Sequence, residues 1–343
     1  MTVMVDHPAD QDFAQLADPY RRELYAHCYR MLGSVHDAED LVQETYLRAW
    51  KAYDRFEGRS SLRTWLHRIA TTACLTALEQ RGRRPLPTGL GGPAEPEGRL
   101  GERPELPWLE PVPDALVGAG DGDPGTVVAA RESVRLALVA ALQYLQPRQR
   151  AVLVLRDVLR FSAAEVAEIL DTSVPAVNSL LQRARAQLAR SAPTEDRVEV
   201  PGAEQRRVLE RYVTAFENYD VSGITAMFTA DAVWEMPPFT AWVRGAEHIG
   251  RLILSSCPAQ GPGDMRMLPA GANGQPAFGL YMRGADGVHR AFHLQVLDLT
   301  GGGVAHAVAF FDVSLFPRFG LPAVLGDRSQ DAAPGSRGAG PAG

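Results

Sequence analysis

The stretch from residue 85 to 125, which contains PLPTGLGGPAEPEGRLGERPELPWLEPVPD, constrains this chain more than any other feature. Proline cannot donate to a helix or a sheet ladder, and glycine loses the most backbone freedom on ordering. Neither the helical nor the strand period runs through the segment, so it divides the chain. It also carries eight acids against two bases. Read alone, it is an extended acidic linker that cannot offset its ordering entropy by burial, with only the apolar PWLEPVP offering a docking point. What lies on either side must form separate modules, and a length of 343 residues suits two or three of them.

Charge is segregated along the same divisions. Residues 13–84 carry net +3 and residues 127–192 net +4, while the linker over 85–126 carries -6 and residues 193–343 carry -4. The formal net charge of -6 therefore hides two mildly basic modules set in acidic material. No run of 18 apolar residues is present, which argues against a membrane-spanning helix. The acidic start, MTVMVDHPADQDF, lacks the layout of a signal peptide, so a cytoplasmic location is expected. Cys28, Cys74 and Cys257 are odd in number and widely spaced, which is neither a disulfide framework nor a metal-ligand pattern. No metal or cofactor site is expected.

Over 13–84 the apolar residues recur at helical spacing in three groups: Leu24, Cys28, Met31 and Leu32; Leu41, Thr45, Leu47 and Trp50; and Leu62, Trp65, Leu66, Ile69, Ala73, Leu75 and Leu78. Over 126–192 four helices are expected, two of them at Val134 to Leu145 and Arg148 to Leu159. The last two fall in SAAEVAEILDTSVPAVNSLLQRARAQL. There Ser162 and Glu165 form a capping box, Asp171-Thr172-Ser173 makes the turn, and Pro175 sits in the first turn of the next helix. Val177, Leu180, Leu181, Ala184 and Leu188 form the inner face of that helix. Asn178, Ser179, Gln182, Arg183 and Arg185 are left outside, where amide and small side chains suit base edges and arginines suit phosphates.

The run YLQPRQRAVLVLRDVLRFSAAEVAEILDTSVPAVNSLLQRARAQL resembles the fourth, promoter-reading region of sigma-70 family transcription initiation factors. Independently, DAEDLVQETYLRAW resembles the second-region helix that binds the clamp helices of the RNA polymerase largest subunit. FEGRSSLRTWLHRIATTACLTALE resembles the part that reads the -10 element. With no third region between them, the resemblance is to the extracytoplasmic-function (ECF) class. It implies that Asp37, Glu39, Asp40, Leu41, Gln43 and Glu44 face the polymerase clamp. It further implies that Arg59, Ser60, Arg63, Trp65 and Arg68 lie by the -10 strand, with Arg81, Arg83 and Arg84 on phosphates, and that Asn178, Ser179, Gln182, Arg183 and Arg185 read the -35 element. The partners implied are core RNA polymerase, through its clamp helices and flap, and promoter DNA. Trp65 fits a core position equally well by its spacing from Leu62 and Ile69. Thr72 and Thr76 replace the Asn and Asp of many relatives, so the -10 specificity does not carry over.

Residues 204–317 read as helices followed by strands with Gly-rich turns, an α+β cone with a curved antiparallel sheet. YVTAFENYDVSGITAMFTADAVWEMPP…GAEHIGRLI resembles SnoaL-like domains, which in a subgroup of ECF factors are thought to modulate sigma activity in cis. The fold class expected is thus multidomain: two all-α modules, a sigma region 2 helical bundle over 13–84 and a region 4 helix-turn-helix over 126–192, plus this SnoaL-like cone. A disordered tail over 326–343 is expected to follow. Candidates for proton transfer in the cone are Asp231, His248, His293, His306 and Asp312, with His293 and His306 facing it together. A small-ligand pocket would be lined by Trp234, Met236, Phe239, Trp242, Tyr281 and Phe292, residues that serve equally as plain core. The reading is an alternative sigma factor, not an enzyme. The competing one is a helix-turn-helix regulator fused to a SnoaL-like enzyme or ligand-binding domain.

Overall fold

The computed structural model describes residues 8–118, 132–191, 202–301 and 303–326. The expected tail over 326–343 lies outside these residues apart from Gly326.

The first module packs α1 (Pro8–Ala17), α2 (Arg21–Leu32), α3 (Val35–Ala52) and α4 (Leu62–Gln80). On α2, Leu24, Cys28, Met31 and Leu32 are buried, as their spacing predicts. Gly33 ends α2 at φ 68°, and a Cβ there would lie 2.7 Å from Leu109 Cδ1. Both the left-handed backbone and the close approach of a distant segment demand glycine. Ser34 then caps α3, its hydroxyl accepting from the Asp37 N–H at 3.1 Å. The buried stripe of α3 is Val35, Ala38, Val42, Thr45 and Ala49. Leu47 and Trp50, expected inside, are exposed at 57% and 46%. Ala38 and Ala49 permit close helix approach, and that packing rotates the helix away from the face its larger apolar residues suggest.

After a short α5 (Asp114–Val117), the second module holds α6 (Leu136–Leu142), α7 (Pro147–Leu153, continued by a π turn over Val154–Val158), α8 (Ala163–Ile169) and α9 (Val174–Ser191). Both bonds of the capping box form: the Ser162 N–H donates to Glu165 Oε2 at 2.7 Å, and the Glu165 N–H donates to Ser162 Oγ at 3.2 Å. Val177, Leu181 and Ala184 are buried, and Leu180 and Leu188 half-buried, as the inner-face assignment requires.

The third module opens with α10 (Gly202–Glu217) and α11 (Val221–Ala226), continues with β1 (Phe228–Glu235) and β2 (Trp242–Arg244), and returns to α12 (Ala246–Ser256). It closes with β3 (Met265–Ala272), β4 (Gln275–Arg283), β5 (His289–Thr300), β6 (Gly303–Phe310) and β7 (Val324–Leu325). The sheet order is β2-β1-β6-β5-β4-β3, with β7 beside β5. The β1–β6 pair is parallel, so the sheet is mixed where an antiparallel one was expected. β3 was not legible because Pro269 and the run Ala270-Gly271-Ala272 erase its alternation. It is the terminal strand of that order, where a missing N–H is tolerated.

The sheet buries both faces. Tyr212, Phe216, Trp234, Phe278, Leu297 and Ala307 fill the cone against its helices. On the opposite face Tyr281, Leu294, Val296, Val308 and Phe310 join a second core that is continuous with the two helical modules.

The segment after residue 84 departs most from expectation. Over 85–118 it is packed rather than extended into solvent, with Leu86, Leu109, Val112 and Val117 buried; residues 119–125 lie outside the described set. It follows the cone edge through Ala94 N–H to Trp242 O at 2.7 Å, Trp242 Nε1 to Gly91 O at 2.9 Å and Arg103 N–H to Pro238 O at 2.9 Å. It then returns to the first module through Leu109 N–H to Pro85 O and Glu110 N–H to Gly33 O, both at 3.0 Å. The composition of a segment counts only its own apolar surface. Here two neighbours supply the apolar walls and hydrogen-bond partners, and its prolines reduce the freedom lost on ordering. The suggested PWLEPVP docking point is real: Leu109 is fully buried.

Candidate nucleic-acid interface

On α9 the side chains of Asn178, Ser179, Gln182, Arg183 and Arg185 are all exposed. They lie opposite Val177, Leu181 and Ala184, and so form one polar face of a rigidly seated helix. Arg185 is held by Asp157 through two bonds, at 2.9 and 2.6 Å. The face can enter a major groove without any rearrangement of its own module.

The corresponding surface of the first module is partly occupied. Arg59 is exposed and pairs with Glu57; Ser60 is half-buried and Arg68 exposed. Trp65 is half-buried and stacks on Phe56 with centroids 4.7 Å apart, so it serves packing and still offers an edge. Arg63 is engaged on three sides. It pairs with Glu23 at 2.7 Å, donates to the Leu159 carbonyl at 2.8 Å, and lies 4.0 Å over the ring of Phe161. Leu159 and Phe161 belong to the second module, so α8 and the turn before it sit on α4. Arg83 stacks over Tyr144 at 4.2 Å. Arg81 and Arg84 both bind Asp37, Arg84 at 2.5 Å. Burial pushes the Asp37 carboxyl up, but the two guanidinium groups outweigh it and hold it below the usual carboxylate range.

Along the acidic face of α3, Asp40 and Gln43 are exposed and Leu41 is half-buried. Glu44 pairs with Arg48 at 2.6 Å. Glu39 is bound by Arg318, which comes from the last turn of the cone. Three residues of the set expected to face the clamp are thus engaged within the chain, Asp37 and Glu44 by arginines of the first module and Glu39 by the third module.

The residues that hold the modules together were missed from the sequence. The β3–β4 turn, Asn273-Gly274, has φ of 58° and 67° and is driven between all the other parts of the chain. Asn273 is fully buried. Its N–H donates to Val112 O at 2.9 Å and its Oδ1 accepts from the Val112 N–H at 3.0 Å. Its Nδ2 donates to Tyr29 Oη and to Val134 O, both at 2.7 Å. One side chain therefore joins the first module, the linker, the second module and the cone. Gln275 accepts from the Leu136 N–H at 2.9 Å, and Arg135 binds Asp298. Arg150, also buried, donates to Met31 O and to Gln143 Oε1, the latter at 2.9 Å. The Asn-Gly pair is a hairpin signal that would have located the turn but not what it touches. Buried in the same seam, His27 and His67 stand with ring centroids 5.5 Å apart, and His67 meets Phe161 edge-on at 5.0 Å. Burial lowers both, His67 to about 4.

The cone candidates separate. His293 is inside, where burial lowers it to about 3 and its Nε2 lies 2.8 Å from Gln295 Nε2. His306 is on the opposite face, bonded to Glu235 Oε1 at 2.7 Å. The two histidines do not face the cone together as expected, because residues 293 and 306 fall on opposite sides of the pleat. Asp312 accepts from the Ser314 N–H, Asp231 from the Thr229 hydroxyl, and exposed His248 contacts Arg244 O. The six proposed pocket residues do not converge either. Trp234 and Met236 are core, Tyr281 packs on Phe316 on the other face, and Phe292 and Phe239 both meet Phe311. Among the described residues no group of three or more His, Cys, Asp or Glu side chains is gathered to hold a metal, and no helix is long and apolar enough to cross a membrane.

Comparison with known proteins identifies the three modules. The Sigma-70 region 2 model matches residues 16–84, the Sigma-70 region 4 model residues 135–188, and the SnoaL-like domain model residues 209–313. The ECF RNA polymerase sigma factor SigG of Mycobacterium tuberculosis is 61% identical over 321 residues, covering 92% of this chain and 86% of its own. SigJ of the same organism is 32% identical over 252 residues, covering 71% and 72% of the two chains. The crystal structure of the M. tuberculosis ECF sigma factor SigJ superposes with a TM-score of 0.60 at 25% identity, over 90% of this chain and 99% of that one. Two sigma modules in order, a SnoaL-like cone behind them, and this extent of identity lead to one assignment: the chain belongs to the ECF RNA polymerase sigma factors.

Proposed function

We propose that this sigma factor grips its promoter at two points and is held closed by its own third module until polymerase or another signal opens it. Asn178, Ser179, Gln182, Arg183 and Arg185 read the -35 duplex. Arg59, Ser60, Arg63, Trp65 and Arg68 line the -10 strand, with Arg81, Arg83 and Arg84 on phosphates. Asp37, Glu39, Asp40, Leu41, Gln43 and Glu44 meet the clamp helices of the largest polymerase subunit, and region 4 meets the flap. The chain performs no catalysis and works where the polymerase is, in the cytoplasm.

The observation that carries the closed state is the contact of Arg63 with Leu159 and Phe161, which puts regions 2 and 4 directly against each other. The two promoter elements they read are centred some 25 base pairs apart, roughly 85 Å at about 3.4 Å per pair. Modules in contact cannot reach both, so initiation requires the seam to open. Opening releases Arg63 from Leu159 and Phe161 and Glu39 from Arg318, while Arg81 and Arg84 stay with Asp37 inside region 2 until DNA or the clamp competes for them.

Run-off transcription with core polymerase tests this on the full chain, comparing the wild type with Asn273→Gly, which keeps the turn but removes its four-way junction. Higher promoter-directed output from the variant is expected. Equal output at equal folded concentration would remove the regulatory reading. Binding to promoter duplex without co-purification with core polymerase would favour a polymerase-independent repressor instead.

A further inference from the structure

A cavity of about 560 Å³ lies between the outer face of the cone sheet, helix α6 of region 4 and the start of the linker. That volume falls within the roughly 300–1,000 Å³ of small-molecule sites. Its origin is legible in the residues. Ala137, Ala140 and Ala141 are the side chains α6 turns toward the sheet, with Tyr144 one turn on, while Leu136, Val139 and Leu142 go to the core. Three methyl groups cannot fill the distance to the strands, so the helix roofs a void.

The floor is a single cross-strand row. Arg244 of β2 pairs with Val233 of β1, Val233 with His306 of β6, and His306 with Asp298 of β5. Asp231 and Glu235 flank Val233 on the same face. The wall is the stretch from Arg84 to Gly89, where the absence of a Cβ at Gly89 lets Tyr144 Oη approach.

Most of the charges around the cavity are already answered. Arg84 is bound by Asp37, Asp298 by Arg135, and Glu235 by His306 and by the Thr88 N–H, both at 2.7 Å. Arg244 is different: it is exposed, lies 5.4 Å over the Trp242 ring, and has no ion pair among the described residues. A guanidinium at the rim of a half-apolar cavity is suited to a carboxylate, which it can engage with two parallel hydrogen bonds. Asp231, exposed across the same rim and bonded only to the Thr229 hydroxyl among the described residues, suits a hydroxyl or ammonium donor on that ligand.

We infer that this cavity binds a small hydroxy- or amino-carboxylic acid with an apolar body, its carboxylate on Arg244 and its body under Ala137, Ala140 and Ala141. Because the walls come from region 4, the linker and the cone, the site is complete only when the three are together. A ligand there stabilises the closed arrangement by mass action and acts as a co-repressor of promoter binding. That coupling rests on the closed state proposed above; the binding itself does not.

Saturation-transfer NMR on the full chain tests the binding without polymerase, with 4-hydroxyphenylacetate, phenyllactate and phenylalanine as probes and 4-hydroxyphenethyl alcohol as the uncharged control. Transfer to the three acids at millimolar concentration is expected, with the alcohol at least tenfold weaker. Arg244→Leu should weaken the acids at least tenfold, and Ala140→Phe, which fills the roof, should abolish them. No transfer from any acid, or transfer that survives both substitutions, overturns the site. Equal binding of acid and alcohol, insensitive to Arg244→Leu, overturns the ligand class. If the acids bind as expected but leave run-off transcription unchanged at saturation, the co-repressor role is overturned.

Discussion

The outward face of α9 and the first turns of α4 are both arginine-bearing surfaces of small helical modules, yet one is open and the other is in use. Every base-reading candidate on α9 faces solvent. On α4, Arg63 is committed to Glu23, to a carbonyl of region 4 and to the Phe161 ring. The difference comes from what lies behind each helix. α9 is seated by its own module and needs nothing from outside. α4 offers its polar start to α8, and the seam so formed is sealed from the far side by the cone hairpin. On the proposed reading, the module that reads one promoter element covers part of the surface that reads the other.

The hairpin is where that contrast is most easily broken. Asn273→Ala leaves the Val112 N–H and the Val134 carbonyl without their side-chain partners in a buried site and replaces asparagine, which tolerates φ 58°, with alanine, which tolerates it less. A loss of about 3 kcal/mol or more is expected from unsatisfied buried groups alone. Urea unfolding measures it, and small-angle scattering should show the chain expanding; an unchanged midpoint and radius would mean the junction is not what holds the modules.

Acid should act on the seam next. The folded-state value of His67 is lowered, so the unfolded chain takes up the proton first. Its contribution to stability is complete above about pH 6.5 and is lost as pH falls toward 4. At about 1.4 kcal/mol per unit, stability falls by about 2 kcal/mol between pH 7 and pH 5. His27 adds in the same direction, and Glu23, Arg63 and Arg30 are the charged groups that face the pair. His67→Gln should flatten the profile of urea midpoint against pH.

The smallest effect on the fold, and the sharpest on function, belongs to α9. Arg183→Ala should change stability by no more than about 0.5 kcal/mol. It should nonetheless weaken -35 duplex binding and lower the salt slope by about one. A large stability loss would show that this face is part of the closed structure after all.

Helices α2 to α4 and α6 to α9, the capping box at Ser162, the inner and outer faces of α9 and the presence of an α+β cone were all written in local periodicity, because each depends on residues a few positions apart. Leu47 and Trp50 escaped that logic, since which side of α3 is inside depends on how closely Ala38 and Ala49 let its neighbours approach. The linker escaped it further: its own composition is that of a solvated segment, and its order comes from partners as distant as Gly33 of the first module and Trp242 of the cone. The pleat likewise marks His293 and His306 as strand residues but leaves their faces to the register of β5 against β6, which is fixed by the sheet. What the sequence determined by itself was the identity of each module and the residues it presents. Only the tertiary structure decided which of those residues are free, because an ion pair such as Arg84 with Asp37, or a junction such as Asn273, is made by surfaces that no local pattern relates.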